Sequence, residues 1–276
     1  MIKDLVVNLG LGKPHDVAAD YAISIAETFG AHACGIAFAY EPVVPPSVMG
    51  GIPADLIDVQ WAASDSAAAA AIAGFEAAAK RAGVAAEHRK LTASIGGAGD
   101  LFARLARRFD LAVTAQAEPR SGAAQGLIIE GALFGSGRPI IVVPYIQTAG
   151  LRLDRVMICW DGSRPAARAI ADAMPFLARS AAIDVVIVAS GREKSDGIPG
   201  IDMGEHLARH GLNVDVKRIV STDVDVPNTI LSHAADSGAD FIVMGGFGHS
   251  RLREFVLGGA TRGILDAMTV PTLMSH

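Results

Sequence analysis

Short apolar runs alternate with longer segments whose apolar residues recur at helical spacing, and the alternation continues along the whole chain. In the first half, Leu5–Leu9, His32–Ala39, Ala85–Thr92, Leu111–Ala115 and Ile140–Val143 predict strands. Helices are predicted over His15–Phe29, between Pro14 and Gly30 as start and stop signals, and over Ala54–Ala82 with a break near Ser64. Two more are predicted over Ala98–Phe109 and Ala123–Leu133. The second half predicts strands over Arg155–Trp160, Ala182–Ala189, Val214–Val220, Phe241–Met244 and Val270–Met274. Its helices are predicted over Pro165–Leu177, Asp202–Arg209, Asn228–Ala235 and Gly259–Met268. Strands this short and apolar, separated by helices, predict a parallel sheet covered on both faces. That is a doubly wound α/β architecture, with its ligand crevice off the carboxyl ends of the strands.

The pattern repeats because the sequence repeats. Asp4–Ala22 aligns without a gap on Arg155–Ala173, so that Lys13–Pro14 falls on Arg164–Pro165. Phe109–Val113 matches Ala239–Val243, and Arg138–Val143 matches Val270–Ser275. The chain thus reads as a tandem duplication, with a first domain over 1–145, a linker over 146–153 and a second domain over 154–276. A length of 276 residues, 51% of them hydrophobic, lets each half bury its own core.

Charge and composition narrow the partners. The net charge is −5, from 24 basic and 29 acidic residues, and no basic tract or aromatic-spaced basic face appears, which argues against nucleic acid. The two cysteines, Cys34 and Cys159, sit in apolar strand-like runs and make no disulfide framework; core thiols in a reduced, cytoplasmic setting are expected. The apolar run at the N-terminus is too short for a signal peptide, and the alanine-rich stretch Ala67–Ala79 is too short to span a bilayer, so no membrane partner is expected.

The candidate chemistry concentrates in the last segment. Behind the strand at Phe241–Met244 comes a loop with Gly245, two residues, Gly248, nine residues and Gly258, and then a helix from Gly259. A strand, a glycine loop and a helix N-terminus together bring backbone N–H groups in front of a phosphate. With Gly245, Gly248, Gly258, the run GHSRLREFVLGGATR and Val270–Pro271, the sequence resembles the nucleotide-binding universal stress proteins. The resemblance covers nearly the whole chain. It implies two tandem Rossmann-like domains, adenine-nucleotide binding (ATP, with Mg²⁺) and final strands that pair between subunits. In a tandem chain such strands can pair the two copies into a pseudo-dimer, and a homodimer is a further expectation. One departure stands out. The family's Ser or Thr after the third glycine is Gly259 here, and Thr261 is the nearest replacement hydroxyl.

By the resemblance, Asp161 contacts the nucleoside, where a carboxylate accepts a hydrogen bond from a ribose hydroxyl. The residues leave a second reading open, in which Asp161 caps the next helix. Cys159 and Trp160 precede it, and Trp160 either lines the adenine pocket or fills it. The backbone at Ala189 is placed to read the adenine edge. Met244 and Gly245 open the phosphate loop, Gly258, Gly259, Ala260 and Thr261 present N–H groups, and Arg251 and Arg253 either reach phosphate or pair with Glu254. In the first copy Gly10 stands at the position of Asp161, and Ala115 and Glu118 at those of Gly245 and Gly248, so that copy is expected to keep the fold without the site. No G-x-x-x-x-G-K-[ST], paired carboxylates or metal-ligand spacing accompanies the loop, whose chemical groups are His249, Ser250 and Thr261. No catalytic residue is assigned, and at most slow Mg²⁺-dependent hydrolysis is expected. Three readings stay open: a nucleotide-binding stress or signalling protein, a slow ATPase, and a nucleotide-free scaffold.

Overall fold

The computed structural model describes residues 1–42, 54–118, 123–190, 200–221, 225–246 and 259–276. The chain divides into two compact units, Met1–Ala115 with Arg120–Arg138, and Gln116–Pro119 with Pro139–His276.

Unit 1 holds β1 (Asp4–Asn8), α1 (Val17–Phe29), β2 (His32–Tyr40), α2 (Ala54–Ala82), β3 (Ala86–Ala93), α3 (Ile95–Ala106), β4 (Leu111–Ala115) and α4 (Ala123–Gly135). Its strands lie in the order β3-β2-β1-β4, all parallel. The direction of winding reverses between β1 and β4, so α1 packs with α2 and α3 with α4. α1 starts two residues later than its apolar pattern suggests because Asp16 takes the N-cap, accepting from the N–H groups of Ala18 and Ala19. α2 is unbroken over 29 residues. Ser64 does not interrupt it; its Oγ accepts the Tyr40 N–H at 2.7 Å and ties the helix to β2. α3 begins earlier than predicted, at an N-cap formed by Ser94. Between α3 and α4 the backbones approach so closely that a Cβ at Gly99 would lie 2.3 Å from the Leu127 carbonyl oxygen, and one at Gly131 would lie 2.5 Å from the Gly99 oxygen. Two of the first copy's scattered glycines therefore serve helix packing.

Unit 2 holds β5 (Ile140–Val143), β6 (Arg155–Cys159), α5 (Arg164–Leu177), β7 (Ala182–Ser190), α6 (Ile201–Arg209), β8 (Val214–Ser221), α7 (Val226–Ser237), β9 (Phe241–Gly245), α8 (Gly259–Ala267) and β10 (Thr272–Ser275). Its strand order is β5-β10-β9-β6-β7-β8. Every pair among β6 to β10 is parallel, and the reversal falls between β6 and β9. β5 runs antiparallel to β10, with Ile141 opposite Leu273. Val270 and Pro271 precede β10, and the Pro271 carbonyl accepts the Ile242 N–H at 3.0 Å.

The covered-on-both-faces expectation fits most strands and fails at β3, whose residues 86–90 are exposed and include Glu87, His88, Arg89 and Lys90. Charge on an outer strand discourages pairing with another chain. In unit 2 a charge is buried one strand further in, on β7, the counterpart of β2. Asp184 on β7 is 1% exposed and lies 3.0 Å from both Arg155 Nη1 on β6 and Lys217 Nζ on β8.

The duplication is legible in the pairing itself. Leu5 faces Leu111 as Val156 faces Phe241. Asp110 Oδ2 accepts the N–H groups of Lys3 and Asp4 at 2.8 and 3.1 Å, and Asp240 Oδ2 accepts those of Asp154 and Arg155 at 3.0 and 3.4 Å. Each copy thus ties the start of its first strand with the same carboxylate.

Candidate functional site

In unit 2 the reversal point between β6 and β9 leaves a crevice at the strands' carboxyl ends, the place where open α/β sheets bind ligands. Cys159 and Met244 lie opposite each other there. The Trp160 N–H donates to the Val186 carbonyl at 2.9 Å, extending the β6–β7 pairing by one residue. Beyond it the chain turns. Asp161 Oδ1 accepts the Ser163 N–H at 2.9 Å, Gly162 takes a φ of +75°, and Ser163 caps α5, its Oγ accepting from the Ala166 N–H at 3.3 Å. The helix cap is therefore Ser163, and Asp161 shapes the turn ahead of it. The Asp161 residue is exposed at the crevice rim.

Gly245 has a packing role of its own. A Cβ there would lie 2.5 Å from the Ala166 nitrogen and 2.8 Å from the Pro165 carbonyl carbon. Only glycine lets the end of β9 meet the first turn of α5 so closely. The next residue, Gly246, donates its N–H to the Ser275 carbonyl at 2.8 Å and accepts from His276 Nδ1 at 3.0 Å through its own carbonyl.

Trp160 is half-buried on the β7 side of the crevice. A Cβ on Gly200 would lie 3.2 Å from Trp160 Cδ1 and 2.7 Å from Ile187 Cδ1, so the indole edge lies beside the start of α6. Gly200 holds that start with a φ of +82°. Ala189 lies three residues past Val186 on β7, opposite Val220. Burial pushes the Cys159 thiol up to about 12, with the Asp161 carboxylate adding to the shift. Burial pushes the Cys34 thiol up to about 12 as well, helped by a hydrogen bond with Glu87. Cys34 is a buried core thiol, whereas Cys159 keeps partial exposure at the crevice.

At the start of α8, Gly259 is exposed with open space around it and Ala260 is half-buried. Thr261 is 3% exposed and shares the buried stripe of α8 with Ile264 and Leu265. Gly248, His249, Ser250, Arg251, Arg253 and Gly258 lie outside the described residues. The structure therefore brings together Cys159, Trp160, Asp161, Met244 and Gly245 at the ends of β6 and β9.

The same place in unit 1 is occupied by the protein's own side chains. Asn8 and Thr114 stand where Cys159 and Met244 stand in the other copy, 4% and 0% exposed. Gln125, from the first turn of α4, bridges them. It accepts from Asn8 Nδ2 at 3.0 Å and donates to Thr114 Oγ1 and to the Ala115 carbonyl, the latter at 2.8 Å. Asp16 closes the adjoining turn, accepting the Gly10 N–H at 2.7 Å. Burial holds the Asp16 carboxyl above its ordinary value, against the lowering effect of the Gly10, Ala19 and Ala18 N–H groups. Sequence reading missed Gln125 and Asp16. The available signal was Asn8 and Thr114, polar residues in otherwise apolar strands.

Comparison with known proteins agrees with this architecture. The universal stress protein family matches residues 152–276. A universal stress protein of Archaeoglobus fulgidus DSM 4304 superposes with a TM-score of 0.74, covering 99% of this chain and 95% of its own at 16% identity. A functionally unknown protein of Pseudomonas aeruginosa PAO1 gives a TM-score of 0.60 over 99% of this chain and 92% of its own, at 14% identity. At these identities the likeness is one of fold, and it spans both halves of the chain. In sequence, the chain is similar to the universal stress protein Slr1230 of Synechocystis, 28% identical over 143 residues. That match spans 49% of this chain and 46% of the relative. Among the described residues no helix is long and apolar enough to cross a membrane.

Proposed function

We propose that this chain is an adenine-nucleotide-binding universal stress protein in which the 154–276 copy holds one nucleotide and the 1–145 copy is a structural partner. The observation that carries the reading is the asymmetry of the two crevices. In the first, Gln125 hydrogen-bonds across the strand ends. In the second, the matching positions are Cys159 and Met244, whose thiol and thioether are apolar enough to meet a base or a ribose face, with an exposed carboxylate beside them.

The roles follow from this placement. Asp161 uses the carboxylate oxygen left over from its turn to accept a ribose hydroxyl. Trp160 and the backbone at Ala189 border the adenine. The phosphates lie toward Gly245, Gly248, Arg251 and Gly258, with the N–H groups of Gly259, Ala260 and Thr261 and the α8 dipole favouring the anion by about 0.3–1 kcal/mol per charge. The buried position of Thr261 leaves its backbone N–H as its means of contact. Mg²⁺ arrives on the phosphates of ATP.

Binding biases a conformation or an association surface, with hydrolysis at most slow. The two copies pair as a pseudo-dimer, the chain forms a homodimer, and both act in the reduced cytoplasm. Calorimetric titration of the nucleotide-stripped chain with Mg-ATP tests the reading. About one site per chain is expected, with binding lost in Asp161→Ala and Gly248→Glu. Two equal sites would refute the structural role of the first copy. Absence of heat and of co-purified nucleotide would favour the scaffold reading.

A further inference from the structure

α6 ends on two histidines four residues apart, His206 in its last turn and His210 at its C-cap. Residues at that spacing share one face of a helix. The opposite face is fixed. Leu207 is fully buried, and a Cβ on Gly204 would lie 2.5 Å from Val216 Cγ2 of β8, so the inner side of α6 is pressed against the sheet. His206 and His210 are exposed. Their rings meet each other, with centroids 4.9 Å apart and planes at 72°. Among the described residues neither ring takes part in a hydrogen bond or an ion pair. His15, His32 and His88 differ in this, since each is held by a carboxylate within 3.0 Å.

The chemistry of such a pair is that of a two-point metal chelate. Neutral imidazole is the commonest side-chain metal ligand, and two histidines at i and i+4 on one helix face bind Zn²⁺ together. Two imidazole nitrogens held about 2.0–2.1 Å from one tetrahedral Zn²⁺ put their ring centroids about 5 Å apart. The observed 4.9 Å already matches. Turning each ring about its Cβ–Cγ bond, a soft torsion whose axis passes near the ring centre, aims the nitrogens at a shared point and leaves the centroids in place. The electrostatics agree. The free carbonyls of a last helical turn carry partial negative charge, which favours a cation there. The neighbouring Arg209 is paired with Glu205 at 3.1 Å, which offsets its charge.

We infer that His206 and His210 form a surface site for one late first-row divalent cation, Zn²⁺, Ni²⁺ or Cu²⁺, with water completing the coordination. Among the described residues no group of three or more His, Cys, Asp or Glu is arranged to hold a metal, so the site counts two protein ligands. Imidazole donors rank Cu²⁺ above Ni²⁺ and Zn²⁺ and leave Mg²⁺ and Ca²⁺, which take oxygen ligands, unbound. The site stands apart from the nucleotide crevice. His206 comes six residues after Gly200, about 9 Å along the helix from the residue beside Trp160. The inference is independent of the nucleotide reading.

The test uses the full chain without an affinity tag, and the metal alone. Calorimetric titration with zinc chloride is expected to show uptake that His206→Ala and His210→Ala each weaken at least about tenfold, the loss that removal of even a supporting group brings. His15→Ala, at an exposed histidine of the other unit, is expected to leave it within about twofold of the parent. The parent chain gives a second reading that no substitution disturbs. Cu²⁺ added below one equivalent is expected to broaden the NMR ring signals of His206 and His210 together, ahead of the other histidines. The inference is overturned by absence of zinc uptake, by uptake unchanged in both variants, by loss in one variant alone, or by broadening of one ring without the other. No nucleotide enters these titrations, so their outcome and that of the Mg-ATP titration are read separately.

Discussion

Two crevices built on the same duplicated fold end in opposite chemistry. At the carboxyl ends of β1 and β4, Gln125 hydrogen-bonds to Asn8 Nδ2 and Thr114 Oγ1, Asn8 Oδ1 stays buried without a hydrogen-bond partner among the described residues, and Asp16 closes the turn. At the ends of β6 and β9, Cys159 and Met244 face each other, and Asp161 stays exposed at the rim. What the copies share lies at the other end of the sheet, where Asp110 and Asp240 tie down the first strand of their copies through equivalent bonds. Residues that fasten the fold survived duplication in both copies, while residues at the reversal point diverged. The Gln125 bridge satisfies Asn8 Nδ2 and Thr114 Oγ1 and offsets part of the cost of burying polar groups there, while Asn8 Oδ1 still carries its share of that cost.

The largest expected effect is at Gly245. Gly245→Val drives side-chain atoms into the backbone of Pro165 and Ala166, which cannot yield, and should cost about 3 kcal/mol in urea unfolding. The matching change in the first copy, Ala115→Gly, should cost only about 0.5–1 kcal/mol. Equal costs would show that the tight contact between β9 and α5 is not what demands the glycine.

A second contrast lies in the charged cluster of unit 2. Asp184→Ala leaves Arg155 and Lys217 without their buried partner and should cost about 2–3 kcal/mol, at the low end for a broken buried pair because both cations reach solvent. Cys34, the corresponding residue of unit 1, should lose about 1–2 kcal/mol on conversion to Ala, a small hydrophobic truncation. Reversal of that order in chemical denaturation would contradict the assignment of the ion triad as a fastening element.

Next comes the bridge itself. Gln125→Ala strands the side chains of Asn8 and Thr114 and should destabilise the chain by about 1–3 kcal/mol without creating a second nucleotide site. A second site appearing in calorimetry would mean that Gln125 alone blocks the first crevice.

The smallest effect concerns the thiols, one in each copy. With both thiols pushed up to about 12, the thiolate fraction at pH 8 is about one in 10⁴. Both Cys34 and the partly exposed Cys159 should react with a disulfide reagent at pH 8 far more slowly than in the unfolded chain, and thiolate would accumulate only as the pH climbs toward that value. Rapid labelling of the folded chain would show that burial does not hold the thiols protonated.

The architecture was largely legible in sequence because strand runs and helix signals are local. Pro14, Gly30 and the apolar run at Ile140–Val143 each mark an element found in the structure. The errors arose where a side chain acts at a distance. Ser64 looked like a helix break and is a tether to β2. β3 read as a covered strand, yet its charged residues face solvent. That β5 and β10 pair was an expectation drawn from the resemblance, whereas their antiparallel direction depends on a contact between distant segments that no local pattern encodes. In the candidate site, Asp161 and Gly245 stood out by spacing, but Gln125 did not, because a glutamine in a helix carries no signal until Asn8 and Thr114 are brought beside it. Gly245 itself shows how a motif glycine gains a second reason: the spacing suggests phosphate, and the structure adds the contact with α5.

The asymmetry of the two copies is tested most directly by photolabelling the stripped chain with 8-azido-ATP and Mg²⁺, then mapping the modified peptides. The account predicts label confined to peptides from residues 154–276 and suppressed by unmodified ATP. Competable label within residues 1–145, in the copy whose crevice Gln125 fills, would contradict it.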